Sequence, residues 1–102
     1  MDHINKVSPQ DVERIIKEDN DIEVIDVRED EEVEAGKIPG AKHIPLAEIP
    51  ESVSKLDKDK EYILVCRSGR RSMNAALYLD EYGYKVSNMT GGMLEWDGEV
   101  IS

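Results

Sequence analysis

Tyr62-Ile63-Leu64-Val65-Cys66 is a short, unbroken apolar run rich in β-formers, and it ends in the single cysteine of the chain. Such a run reads as a strand buried on both faces, which requires a parallel sheet covered by helices on either side. Ser68 and Gly69 punctuate it. From Arg70 onward, Met73, Ala75, Ala76, Leu77 and Leu79 supply helix-forming composition with a wide apolar face, and Gly83 is a stop signal. The stretch is therefore strand, tight loop, helix. In that geometry the loop N–H groups and the positive end of the helix converge on one small volume, which favours an anion.

Cys66 sits at the edge of that volume. A thiol near a helix N-terminus and cationic side chains has its thiolate form favoured, and the thiolate is the nucleophile. Arg67, Arg70 and Arg71 supply the cations. The bland alternative is that a lone cysteine ending a buried strand is only a small core hydrophobe. Arginines beside a core residue add nothing to packing, whereas arginines around a thiolate match the charge of a substrate. The pattern predicts a nucleophilic cysteine in an anion cradle built from Arg67, Ser68, Gly69, Arg70, Arg71 and Ser72.

A chain of 102 residues suits one domain, 1–102, with a single modest core. Its formal net charge of −10 excludes nucleic acid and anionic membrane as general partners, because the mean field repels both. In so acidic a chain, positive charge gathered beside the one thiol stands out. One cysteine excludes an internal disulfide or redox pair, and His3 and His43 form no metal-binding pattern, so neither metal nor cofactor is expected. The N-terminus lacks the basic and apolar regions of a signal peptide, and no apolar run approaches the roughly 18 residues of a membrane span. A cytoplasmic location, where a thiol stays reduced, is the expectation.

Taken in order, Ile4 to Val7 reads as a short edge strand, with Ser8 as N-cap and Pro9 as first residue of a helix. Val12, Ile15 and Ile16 give that helix its buried face, and Asn20-Asp21 ends it. Ile22 to Val27 is the next strand. Asp26 and Arg28 fall at its C-terminal end, where open α/β sheets place ligands, and are expected to support the Cys66 loop or to pair with each other. Glu29 to Glu34 reads as a short helix with a solvated acidic face. Ala41 to Ile44 should be a short strand, Glu51 to Leu56 a short helix, and Asp57 to Lys60 a solvated charged turn. Lys85 to Met89 is the last strand. Gly91-Gly92 then lets backbone pass close to something before a short helix and Trp96, read as core packing.

Cys66-Arg67-Ser68-Gly69-Arg70-Arg71-Ser72 resembles the active-site loop of a single-domain rhodanese, a sulfurtransferase. Val24-Ile25-Asp26-Val27-Arg28-Glu29 resembles that family's second-strand motif, and Gly36-Lys37-Ile38-Pro39-Gly40-Ala41-Lys42-His43-Ile44-Pro45 its Gly-His-Ile-Pro-Gly-Ala turn. Gly91-Gly92-Met93 with Trp96 is similar to its closing motif. Lys37 and His43 stand where the family usually has histidine and asparagine; neither touches the nucleophile loop, and His43 is read as structural. The architecture expected is α/β, rhodanese-like, with a mostly parallel five-stranded sheet and helices on both faces.

The resemblance implies transfer of sulfane sulfur from a small anionic donor such as thiosulfate to a thiol or cyanide acceptor through a Cys66 persulfide. A non-turnover persulfide carrier or docking module of the same fold, working with a sulfur-relay protein, is the alternative. The fold also hosts phosphatases and arsenate reductases, whose loop places arginine after five intervening residues. Here that position is Ser72, with Arg71 one place earlier. The tighter ring suits one sulfur atom better than a tetrahedral oxyanion.

Overall fold

The computed structural model describes residues 3–18 and 21–102. Strand β1 (Asn5–Val7) leads into helix α1 (Pro9–Glu18). Ser8 starts that helix in a reciprocal cap: its Oγ accepts the Asp11 N–H at 3.0 Å, and Asp11 Oδ2 accepts the Ser8 N–H at 3.2 Å. Asn20, predicted to end the helix, lies outside the described residues. Strand β2 (Ile22–Asp26) is followed by helix α2 (Asp30–Glu34) and strand β3 (Lys42–His43). Leu46 to Lys55 then makes tight turns around the four-residue helix α3 (Ile49–Ser52). The predicted Glu51–Leu56 helix is thus displaced toward the N-terminus, with Pro50 in its first turn. Strand β4 (Glu61–Val65), helix α4 (Arg70–Glu81) and strand β5 (Lys85–Met89) complete the framework, and Gly92–Glu95 makes a final tight turn.

The five strands form one parallel sheet in the order β1-β5-β4-β2-β3. β4 is central, which explains its run of apolar residues: Tyr62 to Val65 are all buried. Alternation along it divides the interior into two clusters. Tyr62 and Leu64 join Ile25, Val27, Ala75, Ala76 and Leu79 beneath α4 and α3. Ile63 and Val65 join Val12, Val24, Ile38 and Met89 beneath α1 and the 92–95 turn. Helices therefore cover both faces.

Two readings of the surface change. Lys60, placed in a solvated turn, is tied at 2.7 Å to Glu23 across the start of β2. Trp96 is half-buried at the rim of the second cluster rather than inside it, because its indole N–H reaches out to the Glu99 carbonyl at 3.0 Å.

Leu64 is wholly buried between β2 and β5. Leu64→Ala should lower unfolding free energy by about 2–5 kcal/mol, read as a lower urea midpoint with little change in slope.

Candidate active site

Strand parity aims the cysteine. Cys66 continues the set of Tyr62 and Leu64, so its side chain turns toward α4, and the residue is 0% exposed. The chain must then reverse over it to begin the helix. Gly69 makes that turn at φ 101°, a left-handed conformation that side-chain-bearing residues rarely adopt. As a result its N–H points back at Cys66 Sγ, 3.0 Å away. One turn into α4, the Ser72 hydroxyl lies 3.3 Å from the same sulfur. Burial pushes the thiol up, but hydrogen bonds from the Ser72 hydroxyl and the Ser72, Gly69 and Ser68 N–H groups outweigh it and leave Cys66 below the ordinary thiol value. The loop N–H groups expected to converge on the sulfur, together with the Ser72 hydroxyl, are thus the leading stabilisers of the thiolate.

The loop rests on a second backbone crossing. Met93 N–H donates to the Cys66 carbonyl at 2.9 Å and Leu94 N–H to the Arg67 carbonyl at 3.0 Å. Gly92 leads into both bonds, and a Cβ there would fall 2.3 Å from the Arg67 carbonyl oxygen and 2.6 Å from that of Cys66. The segment expected to pass close to something passes directly against the Cys66 loop.

The three arginines part company. Arg67 and Arg70 are exposed, and neither forms an ion pair among the described residues. Arg71 instead grips Glu32 of α2 with two parallel bonds of 2.8 Å. The bond to Arg71 holds the Glu32 carboxyl at about 2, and the same bond, with Glu32 as acceptor, raises Arg71. The acidic run read as a solvated face therefore carries one residue that fixes the orientation of the loop's last arginine. Glu32 also accepts the Glu29 N–H at 2.9 Å, so it caps α2 while holding Arg71.

Asp26 and Arg28 pair with each other. Arg28 Nε donates to Asp26 Oδ1 at 3.0 Å and Nη2 to Oδ2 at 2.8 Å, in a site where the residues are 0% and 7% exposed. Arg28 Nη2 also reaches the Gly36 carbonyl at 2.8 Å, and His43 Nε2 lies 2.7 Å from the Arg28 carbonyl oxygen. Among the described residues neither Asp26 nor Arg28 bonds to the 66–72 loop through its side chain. Their link to it is spatial: Arg28 and Arg67 line one shallow cavity of about 290 Å³ with Glu32, Ala35, Met93 and Leu94.

Sequence reasoning missed Asn88 as well as Glu32. Asn88, 3% exposed on β5, donates from Nδ2 to the Gly69 carbonyl at 3.1 Å and lies 2.5 Å from Ser72 Oγ through its Oδ1. The available signal was a polar residue at a core-facing position near the C-terminal end of a buried strand, where an amide is kept only if bonded.

The Rhodanese-like domain family matches residues 8–99. The chain belongs to that family. Among rhodanese-like relatives it is 52% identical over 97 residues to the putative sulfurtransferase YtwF of Bacillus subtilis, spanning 95% of this chain and 94% of the other. It is 37% identical to the putative sulfur carrier protein YrkF of the same organism, covering 95% of this chain and 53% of that longer one. A crystal structure of a rhodanese-like domain protein from Staphylococcus aureus superposes with a TM-score of 0.88 at 33% identity, over 94% of each chain. The all-parallel sheet is thus the rhodanese-like fold.

Two outcomes follow from this geometry. Gly92→Ala forces a Cβ into the Arg67 and Cys66 carbonyls and a side chain into a left-handed conformation, and should cost roughly 3 kcal/mol in chemical denaturation. For Glu32, the folded carboxyl near 2 lies below its ordinary 4.5, so its contribution to stability is complete above pH 4.5 and lost as pH falls through about 2. Glu32→Gln should flatten the decline in melting temperature across that acid range.

Proposed function

We propose that this rhodanese-like chain is a sulfurtransferase that carries sulfane sulfur on Cys66. The observation that carries the reading is the convergence of N–H groups and the Ser72 hydroxyl on one buried sulfur at the C-terminal edge of a parallel sheet. The relative named as a sulfurtransferase supports it. In the first step the Cys66 thiolate attacks the outer sulfur of thiosulfate or a similar donor. The donor's S–S bond breaks, its electron pair departs with sulfite, and Cys66 is left as a persulfide anion. The donors that favour the thiolate favour this anion for the same reason. In the second step a thiolate or cyanide takes the outer sulfur and the Cys66 thiolate is released.

Arg67 and Arg70 are the cations available to the sulfonate oxygens of the donor, since Arg71 is engaged by Glu32. Arg71 keeps a supporting part: its charge lies close enough to Cys66 for the two to interact. Asp26 and Arg28 act as a self-neutralised prop beneath the cavity that Arg67 shares, so they orient rather than react. No cofactor enters this chemistry, and the site works in a reducing compartment such as the cytoplasm. Among the described residues no helix is long and apolar enough to cross a membrane.

The similarity to a sulfur carrier favours a second reading, in which Cys66 is loaded by one protein and discharged to another without free turnover. Intact mass after incubation with thiosulfate tests sulfur loading for both readings. Wild type should gain one sulfur and lose it to cyanide, and Cys66→Ser should gain none. Steady-state turnover then separates enzyme from carrier. Loading of the Cys66→Ser variant, or no loading of wild type by thiosulfate or a persulfide, would sink the proposal.

Arg67→Ala and Arg70→Ala should each raise the KM for thiosulfate roughly tenfold while changing kcat little, as expected for a lost exposed charge-assisted bond. Loading of wild type should climb with pH to a midpoint below that of an ordinary cysteine thiol.

A further inference from the structure

Ser72 has one hydroxyl proton and two claimants for it. Its Oγ is 3.3 Å from Cys66 Sγ and 2.5 Å from Asn88 Oδ1. The orientation of the Asn88 amide is set by its other end, because Nδ2 faces the Gly69 carbonyl at 3.1 Å and a carbonyl only accepts. Asn88 Oδ1 is therefore the atom facing Ser72, and it too only accepts. While Cys66 is a thiol the row is satisfied: the S–H donates to Ser72 Oγ, and the Ser72 O–H donates to Asn88 Oδ1. When the Cys66 proton leaves to solvent, the sulfur becomes an acceptor and needs the same hydroxyl. If Ser72 turns to it, Asn88 Oδ1 is left against an oxygen lone pair in a site that excludes water, with Ser72 0% and Asn88 3% exposed.

We propose that Asn88 is a positioning residue that competes with Cys66 for the Ser72 hydroxyl proton and thereby holds the cysteine nearer its thiol form than the loop alone would. The inference rests on the reading of Cys66 as the nucleophile, but concerns its ionisation and not sulfur transfer. Once Cys66 gives up its proton, Asn88 is the group that limits how tightly the anion is held. A restrained thiolate is protected from idle oxidation.

Charged groups elsewhere do not supply this effect. Those on elements packed around Cys66 are Arg67 of its own loop, Arg70 and Arg71 of α4, Glu32 of α2, the pair of Asp26 at the end of β2 with Arg28 just beyond it, and Glu95 of the last turn. None of them bonds to the Ser72 or Asn88 side chains among the described residues.

The test reads thiolate formation directly, by ultraviolet absorbance across a pH titration of the whole chain, with Cys66→Ser subtracted to remove the tyrosines. Cys66 is the only thiol, so the signal is its own. Asn88→Ala should lower the midpoint by about one pH unit, a tenfold rise in the thiolate-to-thiol ratio. In a Ser72→Ala background the same change should leave the midpoint where it was, since no shared proton remains. Equal movement in both backgrounds would mean that Asn88 acts only by anchoring Gly69, and no movement in either would mean it does not act on Cys66 at all; each overturns the proposal. Should Asn88→Ala fail to fold, Asn88→Leu fills the space without an acceptor and is read the same way. These midpoints do not depend on sulfur loading, so failure of the transfer assay and failure of the titration are distinguishable.

Discussion

The contact on which the site depends is between two stretches of backbone. The Cys66 and Arg67 carbonyls accept N–H groups from Met93 and Leu94, and Gly92 lets the two chains meet without a side chain between them. With those carbonyls bonded from below, the following N–H groups are free to turn upward, and the left-handed Gly69 directs its own to the sulfur. A charge-stabilising loop of this kind needs no cation at its centre. Fixed peptide dipoles in a dry pocket stabilise the anion, and they need little reorganisation when the charge appears.

Around that loop the structure divides labour by burial. The two exposed arginines face solvent, the third is clamped by Glu32, and the buried Asp26–Arg28 pair neutralises itself. A buried pair contributes little net stability against an apolar replacement, yet losing one partner strands the other charge in low dielectric. Such a pair suits a part whose task is to keep the sheet end in one arrangement. In a chain of acidic balance, Arg67 and Arg70 put two exposed positive charges beside the one thiol.

Much of this was legible in the sequence, for identifiable reasons. The β4 run and the α4 pattern are dictated by the strand and helix periods, and Ser8-Pro9 marks the start of α1 through its own local chemistry. Cys66, Gly69 and Ser72 stand close together in the chain, so a turn of known type is enough to gather them. Glu32 lies 39 positions from Arg71, and its neighbours Asp30 and Glu31 are acidic too, so nothing local distinguishes the residue that pairs with Arg71. Asn88 comes to Ser72 only through the strand order that sets β5 beside β4. The stretch from Leu46 to Lys55 broke its expected helix because few of its residues face the interior, and short helical segments there follow packing more than propensity.

The edges of the sheet have a consequence for association. β1 has three residues and β3 only two, so neither border offers a ladder long enough to template another strand. Growth of the sheet from chain to chain is discouraged at both sides, which guards a concentrated solution against fibrous self-assembly. It also means that a protein approaching this one finds little strand backbone to pair with at either edge.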